Sequence, residues 1–441
     1  MSTLQPNRKA SERLWQACAQ GDVKAVGQSL DEMQGLPDTA FMNSSHLQSP
    51  LAAACSAGAD EVVELLAARL PEACLYHVGE DGQTPVKIAV AKCSEEAALA
   101  LIERMTASSL SDSTAPDGDG NYVATEPLLC VAAALGRVSV LSALLAKVPW
   151  QDLRRPPAFG ASLLGSLAGR QCLPCLQHVC SSLGTTQLGE LAQHTSFGLP
   201  ALPYFLSRAT DSRAAVSMLL ESLPYSCLTA LVDSKRPPLH YTLRSAVVFG
   251  GDAANWPLVH AAMLIDHLDE EDLSRTLGSS GTALHIAIAK KQILPIEAML
   301  AKLTSITDVL LTRNKRGETP LHLCGDLRIR ASPGDAVLVL SSDRELTADR
   351  LSARSDLSFL LEHLATLCPE ALLIQDNDGQ LPLHRAVSVA PPAVIASLLK
   401  AMPREQITQR DNTGKSAETI LRAVNPALAT SLFNPPVKAA K

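Results

Sequence analysis

A short phrase recurs along this chain, and the recurrence limits its possible folds more than any other feature. Residues 313–322 read RNKRGETPLH, residues 376–384 read DNDGQLPLH, residues 279–285 read SSGTALH and residues 81–85 read DGQTP. A histidine that performs chemistry has no reason to be copied along a sequence, whereas a residue that joins repeated units has. Other landmarks keep a matching interval: Gly136 and Gly169 lie 33 residues apart, Pro50 and Pro85 lie 35 apart, and so do Pro382 and Ala417. A period of this size marks a stack of small units, each burying its apolar face only against its neighbours. The 441 residues therefore need not divide into the separate globular domains that such a length ordinarily implies.

Each unit has a readable local logic. Gly82, Gly281, Gly317, Gly379 and Gly414 sit in polar turns that call for a positive backbone angle. Thr319 then suits a helix N-cap, and Pro320 suits the first helical position, where no N–H is required. A helix of about ten residues should follow and end near a second glycine, such as Gly58 or Gly136. A second helix carries the pairs Leu65-Leu66, Leu144-Leu145, Leu219-Leu220 and Leu398-Leu399. It should stop at Pro71, Pro149, Pro224, Pro369 or Pro403, because proline cannot continue a helix. Apolar residues make up 46% of the chain but aromatics only 3%, so the core must be Leu, Ala and Val between closely packed thin helices.

Together these features resemble the ankyrin repeat family, whose unit is a hairpin turn followed by two antiparallel helices with a T-P-L-H-x-A signature. Thr319–Cys324 matches with Cys in the Ala place, Leu381–Ala386 matches with Leu in the Thr place, and Thr282–Ala287 has Ala for Pro. Pro237–Thr242 keeps Pro-Leu-His, while Ser49–Ala54 and Thr84–Ala89 lack the His. The resemblance implies an all-α solenoid of helix-turn-helix units joined by β-hairpin-like turns, with about nine or ten divergent units between residues 11 and 425. The organisation expected is a degenerate capping repeat within 1–47, repeats over 48–326 that diverge around 155–235, an insertion at 327–356, further repeats with a cap over 357–434, and a flexible tail at 435–441. It also implies that the histidine and threonine side chains bond to neighbouring turn backbone. Thr319, Pro320, Leu321, His322, Pro382, Leu383, His384, His285 and His240 are then structural residues.

Several chemistries find no support in the residues. The formal net charge is −7 and no long run of Lys or Arg occurs, which argues against direct nucleic-acid binding. No uninterrupted apolar stretch of about 18 residues marks a membrane span, and the first residues lack the apolar centre of a secretory signal. The 11 scattered cysteines do not resemble a secreted disulfide framework, so a cytoplasmic or nuclear location is expected. Cys172, Cys175, His178 and Cys180 would point to about 0°, 300°, 240° and 80° around one helix, so they cannot close on one metal. The stretch DGDGN at 117–121 lacks the later glycine and glutamate of a calcium loop. No metal and no cofactor are expected.

The expected function is non-enzymatic: a scaffold or adaptor that binds one or more proteins through a concave face and hairpin fingers, as the resemblance implies, and acts as a monomer. Candidate contact residues in fingers and turns are Asp81, Arg313, Lys315, Arg316, Asp376, Asp378, Arg410 and Asp411. Trp150 and Tyr225, each just after a helix-ending proline, are candidate anchors, since aromatics dominate interface hot spots. The alternative is an enzyme or regulator whose activity resides in the 327–356 insertion or is exerted through a bound partner. Asp335, Ser341, Asp343 and Glu345 in that insertion match no recognised catalytic arrangement. The polar segment 106–125 is expected to be a mobile extension of one finger and the preferred contact of the two insertions.

Overall fold

Two-residue links between helices, such as Gly58-Ala59, force the chain to reverse and set the architecture. The computed structural model describes residues 4–35, 49–76, 83–111, 114–116, 122–124, 127–154, 162–168, 173–196, 199–208, 213–230, 237–245, 256–276, 281–290, 292–325, 357–390 and 392–433. Contacts divide the chain into two compact units, Met1–Pro224 and Tyr225–Lys441. Among the described residues, the first unit stacks six helix pairs: Leu4–Gln20 with Val23–Glu32, Pro50–Ala57 with Asp60–Arg69, Pro85–Lys92 with Glu95–Arg104, Leu128–Ala134 with Val138–Lys147, Leu163–Ser166 with Leu173–Ser182, and Ala201–Arg208 with Arg213–Ser222. The second stacks five: Pro238–Ser245 with Trp256–His267, Ala283–Ala289 with Ile293–Lys302, Pro320–Gly325 with Leu357–Leu367, Pro382–Val389 with Pro392–Ala401, and Ala417–Val424 with Pro426–Phe433.

The local signals act as their chemistry requires. Pro50 opens its helix beneath Ser49, whose hydroxyl accepts from the Ala52 N–H at 3.2 Å, and Gly58 closes it with φ +67°. Buried faces are aliphatic, with Leu51, Leu66, Leu101, Ile102, Leu141 and Leu144 almost fully enclosed. The proline after a second helix does more than stop it. Each of the five opens a short third helical turn, at Glu72–Leu75, Trp150–Leu153, Tyr225–Thr229, Pro369–Leu372 and Arg404–Ile407. A residue with no N–H to leave unpaired suits a helix start as well as a helix end.

Charged side chains tie successive second helices together, a device the sequence reading does not anticipate. Lys147 Nζ donates to the carbonyls of Ile102 and Glu103, both at 2.7 Å, at the end of the preceding second helix. Arg104 donates likewise to Ala67, and Lys302 to Asp266. These carbonyls lie in the last turns of their helices, where a cation also meets the negative end of the helix dipole. At the opposite ends, Asp60 accepts from the Ser94 N–H at 3.0 Å and Glu95 from the Ser139 N–H at 3.2 Å.

Two local expectations change. After Thr319, where a helix of about ten residues is expected, the described residues Pro320–Gly325 form a 3-10 segment. The insertion 327–356 lies outside the described residues. Part of 106–125 is built into its unit: Ala107–Ser111 is helical and Leu110 is only 4% exposed, because this helix occupies the place of the third turn elsewhere. Further along, Thr114–Pro116 pairs antiparallel with Tyr122–Ala124, Ala115 opposite Val123. A second ribbon, Thr195–Ser196 with Leu199–Pro200, was not foreseen because no signature histidine marks it.

Candidate functional site

Three consecutive turns of the second unit are built on one plan. Asn314, Asp376 and Asp411 each begin a turn whose backbone closes on itself: the N–H of each donates at 2.9 Å to the carbonyl four residues on, of Glu318, Gln380 and Lys415. The side-chain oxygen of each also gathers two backbone N–H groups. Asn314 Oδ1 accepts from Arg316 and Glu318 at 2.8 and 3.1 Å, and Asp376 Oδ1 accepts from Asp378 and Gln380, both at 2.9 Å. Asp411 Oδ1 accepts from Thr413 and Lys415 at 2.9 and 3.0 Å, and from the Thr413 hydroxyl at 2.7 Å. This geometry needs Gly317 and Gly379 at φ +75° and +74°. The turns are zipped edge to edge: the Asn377 N–H donates to Arg316 O at 3.0 Å, and the Asn412 N–H to Asp378 O at 3.1 Å.

Beneath the turns, the signature histidines link each unit to the next. His285 Nδ1 accepts from the Thr282 N–H at 3.0 Å and lies 2.9 Å from its hydroxyl. His322 repeats this with Thr319 at 3.0 and 2.9 Å, whereas His384 has only the Leu381 N–H at 3.2 Å. With Nδ1 accepting, Nε2 carries the proton and donates to the next turn: His285 to Glu318 O at 3.1 Å, His322 to Gln380 O at 3.0 Å, and His384 to Gln409 O at 3.0 Å. The threonine hydroxyl thus lies against its own unit's histidine, sharing Nδ1 with the backbone N–H, where the sequence reading places it on a neighbouring turn. Burial lowers all three imidazoles despite the carbonyl partners that favour the charged form, and His285 falls to about 4.

One ion pair reinforces the join across the long insertion. Arg385 Nη2 lies 2.6 Å from Glu318 Oε1, and Asn314 Nδ2 donates to the other carboxylate oxygen at 2.8 Å. Glu318 is 3% exposed, so both carboxylate oxygens are enclosed with these partners. Arg313 Nη2 also crosses to Gln375 O at 2.9 Å.

The structure separates the candidate contact residues. Arg313, Lys315, Arg316, Asp378 and Arg410 are exposed on adjacent turns. Asp376 and Asp411, expected to face a partner, are instead 6% and 7% exposed and occupied by their own turns. Desolvation raises the Asp411 pKa, but bonds from the Thr413 hydroxyl and the Lys415 and Thr413 N–H groups outweigh it and hold the carboxyl at about 2. Tyr225 is 40% exposed, but its hydroxyl donates to Asp272 Oδ2 at 2.7 Å and accepts from the Asp269 N–H at 2.8 Å, joining two successive short helices. Trp150 is half-buried in the first unit, opening the turn Trp150–Leu153, and Asp81 lies outside the described residues. Pro320, Leu321, Pro382 and Leu383 are buried at the starts of their helical segments, and His240 is 1% exposed on Pro238–Ser245.

Cys175 faces inward beside Leu176 and Val179, while His178 and Cys180 lie half-buried on other faces of Leu173–Ser182. Among the described residues no three His, Cys, Asp or Glu side chains converge as a metal-binding group, and no helix is long and apolar enough to cross a membrane.

No protein-family model matches the chain, and no curated protein matches it in sequence. Solved structures with a similar arrangement include the ankyrin repeat domain of Bcl-3, described as a unique member of the IkappaB protein family, at 16% identity, covering 70% of this chain and 92% of that one with a TM-score of 0.31. Another is the human ASB11 ankyrin repeat domain, at 16% identity, covering 71% and 99% with a TM-score of 0.34. The stacked helix pairs, the zipped turns and the histidines that join them are features of the chain itself.

Proposed function

We propose that this chain is a protein-binding scaffold that presents the turn crest of its second unit to a partner and performs no chemistry of its own. The observation that carries this reading is a backbone edge fixed by hydrogen bonds from turn to turn, from which Lys315, Arg316, Asp378 and Arg410 project into solvent. Such an edge is preorganised, so little ordering cost opposes binding. The ribbon Thr114–Pro116 with Tyr122–Ala124 is a second candidate contact, on the first unit. The proposed setting is the reducing cytoplasm or nucleus, where the free thiols of the described residues persist, with the chain acting as a monomer.

The test compares proteins captured by the parent chain and by a variant with Lys315→Ala, Arg316→Ala, Asp378→Ala and Arg410→Ala. Loss of a specific partner, with melting and helix content close to the parent, is the expected result. Retention of every captured protein by a folded variant sinks the reading.

A further inference from the structure

The three zipped turns carry an uneven distribution of charge. Arg313, Lys315, Arg316, Arg410 and Lys415 are exposed there. Of the acids in the same turns, Glu318 is buried against Arg385, and Asp376 and Asp411 are buried against their own backbone N–H groups. Those three carboxylates are therefore committed, and only Asp378 stands exposed among the cations. A local cationic edge on a chain of net charge −7 is a directional feature that steers anionic partners to one place.

We propose that this crest docks an extended acidic segment of a partner protein, with acidic side chains over Lys315 and Arg316 and over Arg410 and Lys415, and a neutral or basic residue opposite Asp378. This inference rests on the protein-binding reading above and narrows it to a partner chemistry. The central acid distinguishes a polypeptide from a nucleic acid. A phosphate backbone is negative at every step and would meet Asp378, whereas a peptide can place a lysine or serine there. The crest also lacks the aromatic side chains on which bases stack. The backbone N–H groups of Arg316, Asn377, Asp378, Asn412 and Thr413 are already paired, so recognition falls to the charged side chains.

The test uses the full chain and two labelled probes: a peptide with glutamate clusters flanking a central lysine, and a single-stranded oligothymidylate of equal net charge. At low ionic strength the peptide should bind roughly tenfold tighter than the oligonucleotide, and Lys315→Glu with Arg316→Glu should weaken it by about tenfold or more. Asp378→Lys should instead strengthen binding of an all-glutamate peptide. None of these three side chains contributes to the turn hydrogen bonds, and melting of each variant checks that the fold persists. Absence of saturable peptide binding, an affinity unmoved by the double reversal, or tighter binding of the oligonucleotide overturns the inference. If the peptide fails while the alanine variant above still loses its captured partner, protein binding stands and the acidic chemistry falls. If no partner is lost either, both fall.

Discussion

At the scale of single residues, turn geometry decides which side chains are scaffold. Gly379 has φ +74°, and a Cβ there would meet the Asn412 side chain and its backbone N at 2.9 Å. Gly379→Ala should therefore cost about 1–3 kcal/mol, read as a lower midpoint in urea; an unchanged midpoint would show that the turn relaxes freely. His322→Ala leaves the Thr319 N–H and the Gln380 carbonyl without their partner and should cost a similar ~1–3 kcal/mol. Much of this was legible in the sequence, because a glycine at a fixed offset before a Pro-Leu-His phrase has one physical reading. The burial of Asp376 and Asp411 was not, since an aspartate in a polar turn reads as solvated. The usable signal was the recurrence of Asn314, Asp376 and Asp411 three residues before each glycine, a spacing that lets a carboxylate or amide gather its own turn's N–H groups.

At the scale of elements, the helix pairs could be located from their glycines, prolines and leucine pairs, but the links between them could not. Proline reads as a stop, and only packing shows that the same residue starts a short third turn. The long cations at second-helix ends also read as solvent-facing, because a sequence does not show which carbonyls lie beside them. Lys147→Met keeps the apolar stem and removes two charge-assisted bonds to Ile102 and Glu103. It should lower stability by about 0.5–2 kcal/mol, a range set by partial exposure and solvent screening. Lys92→Met, on an exposed position at the end of a first helix, is the control and should move the midpoint by less than about 0.5 kcal/mol. Equal effects of the two substitutions would remove the case for capping between units.

At the scale of the whole molecule, the two compact units differ in how their turns are fastened. The division at Pro224 was hidden in the sequence, because that proline follows the same pattern as four others and the repeat rhythm continues past it. In the second unit His285, His322 and His384 bind the turns, whereas in the first Ala52 and Lys87 stand in the histidine place of the units at Ser49 and Thr84. Acid should therefore loosen one unit before the other. The three imidazoles are lowered from 6.5 in the folded chain, His285 to about 4, so the unfolded chain binds more protons between those values. Their contribution is fully present above pH 6.5 and is lost as pH falls through the folded pKa values. For His285 the loss amounts to ~1 kcal/mol one pH unit below 6.5 and about 3 kcal/mol at completion. Hydrogen exchange at pH 7.5 and 5.5, corrected for intrinsic rates, should show faster opening at 281–290, 314–325 and 376–390. Segments 50–69 and 95–104 should stay close to their neutral values, since among the described residues of the first unit the histidine whose pKa is lowered, His194, lies far along the chain from them. Asp266 of the second unit, which burial raises, also takes up a proton as the pH falls, so the histidine effect is read at 281–290, 314–325 and 376–390, around the three imidazoles themselves. Equal loosening of both units, or none in the second, would show that the histidine bonds do not set the strength of the turn-to-turn joins.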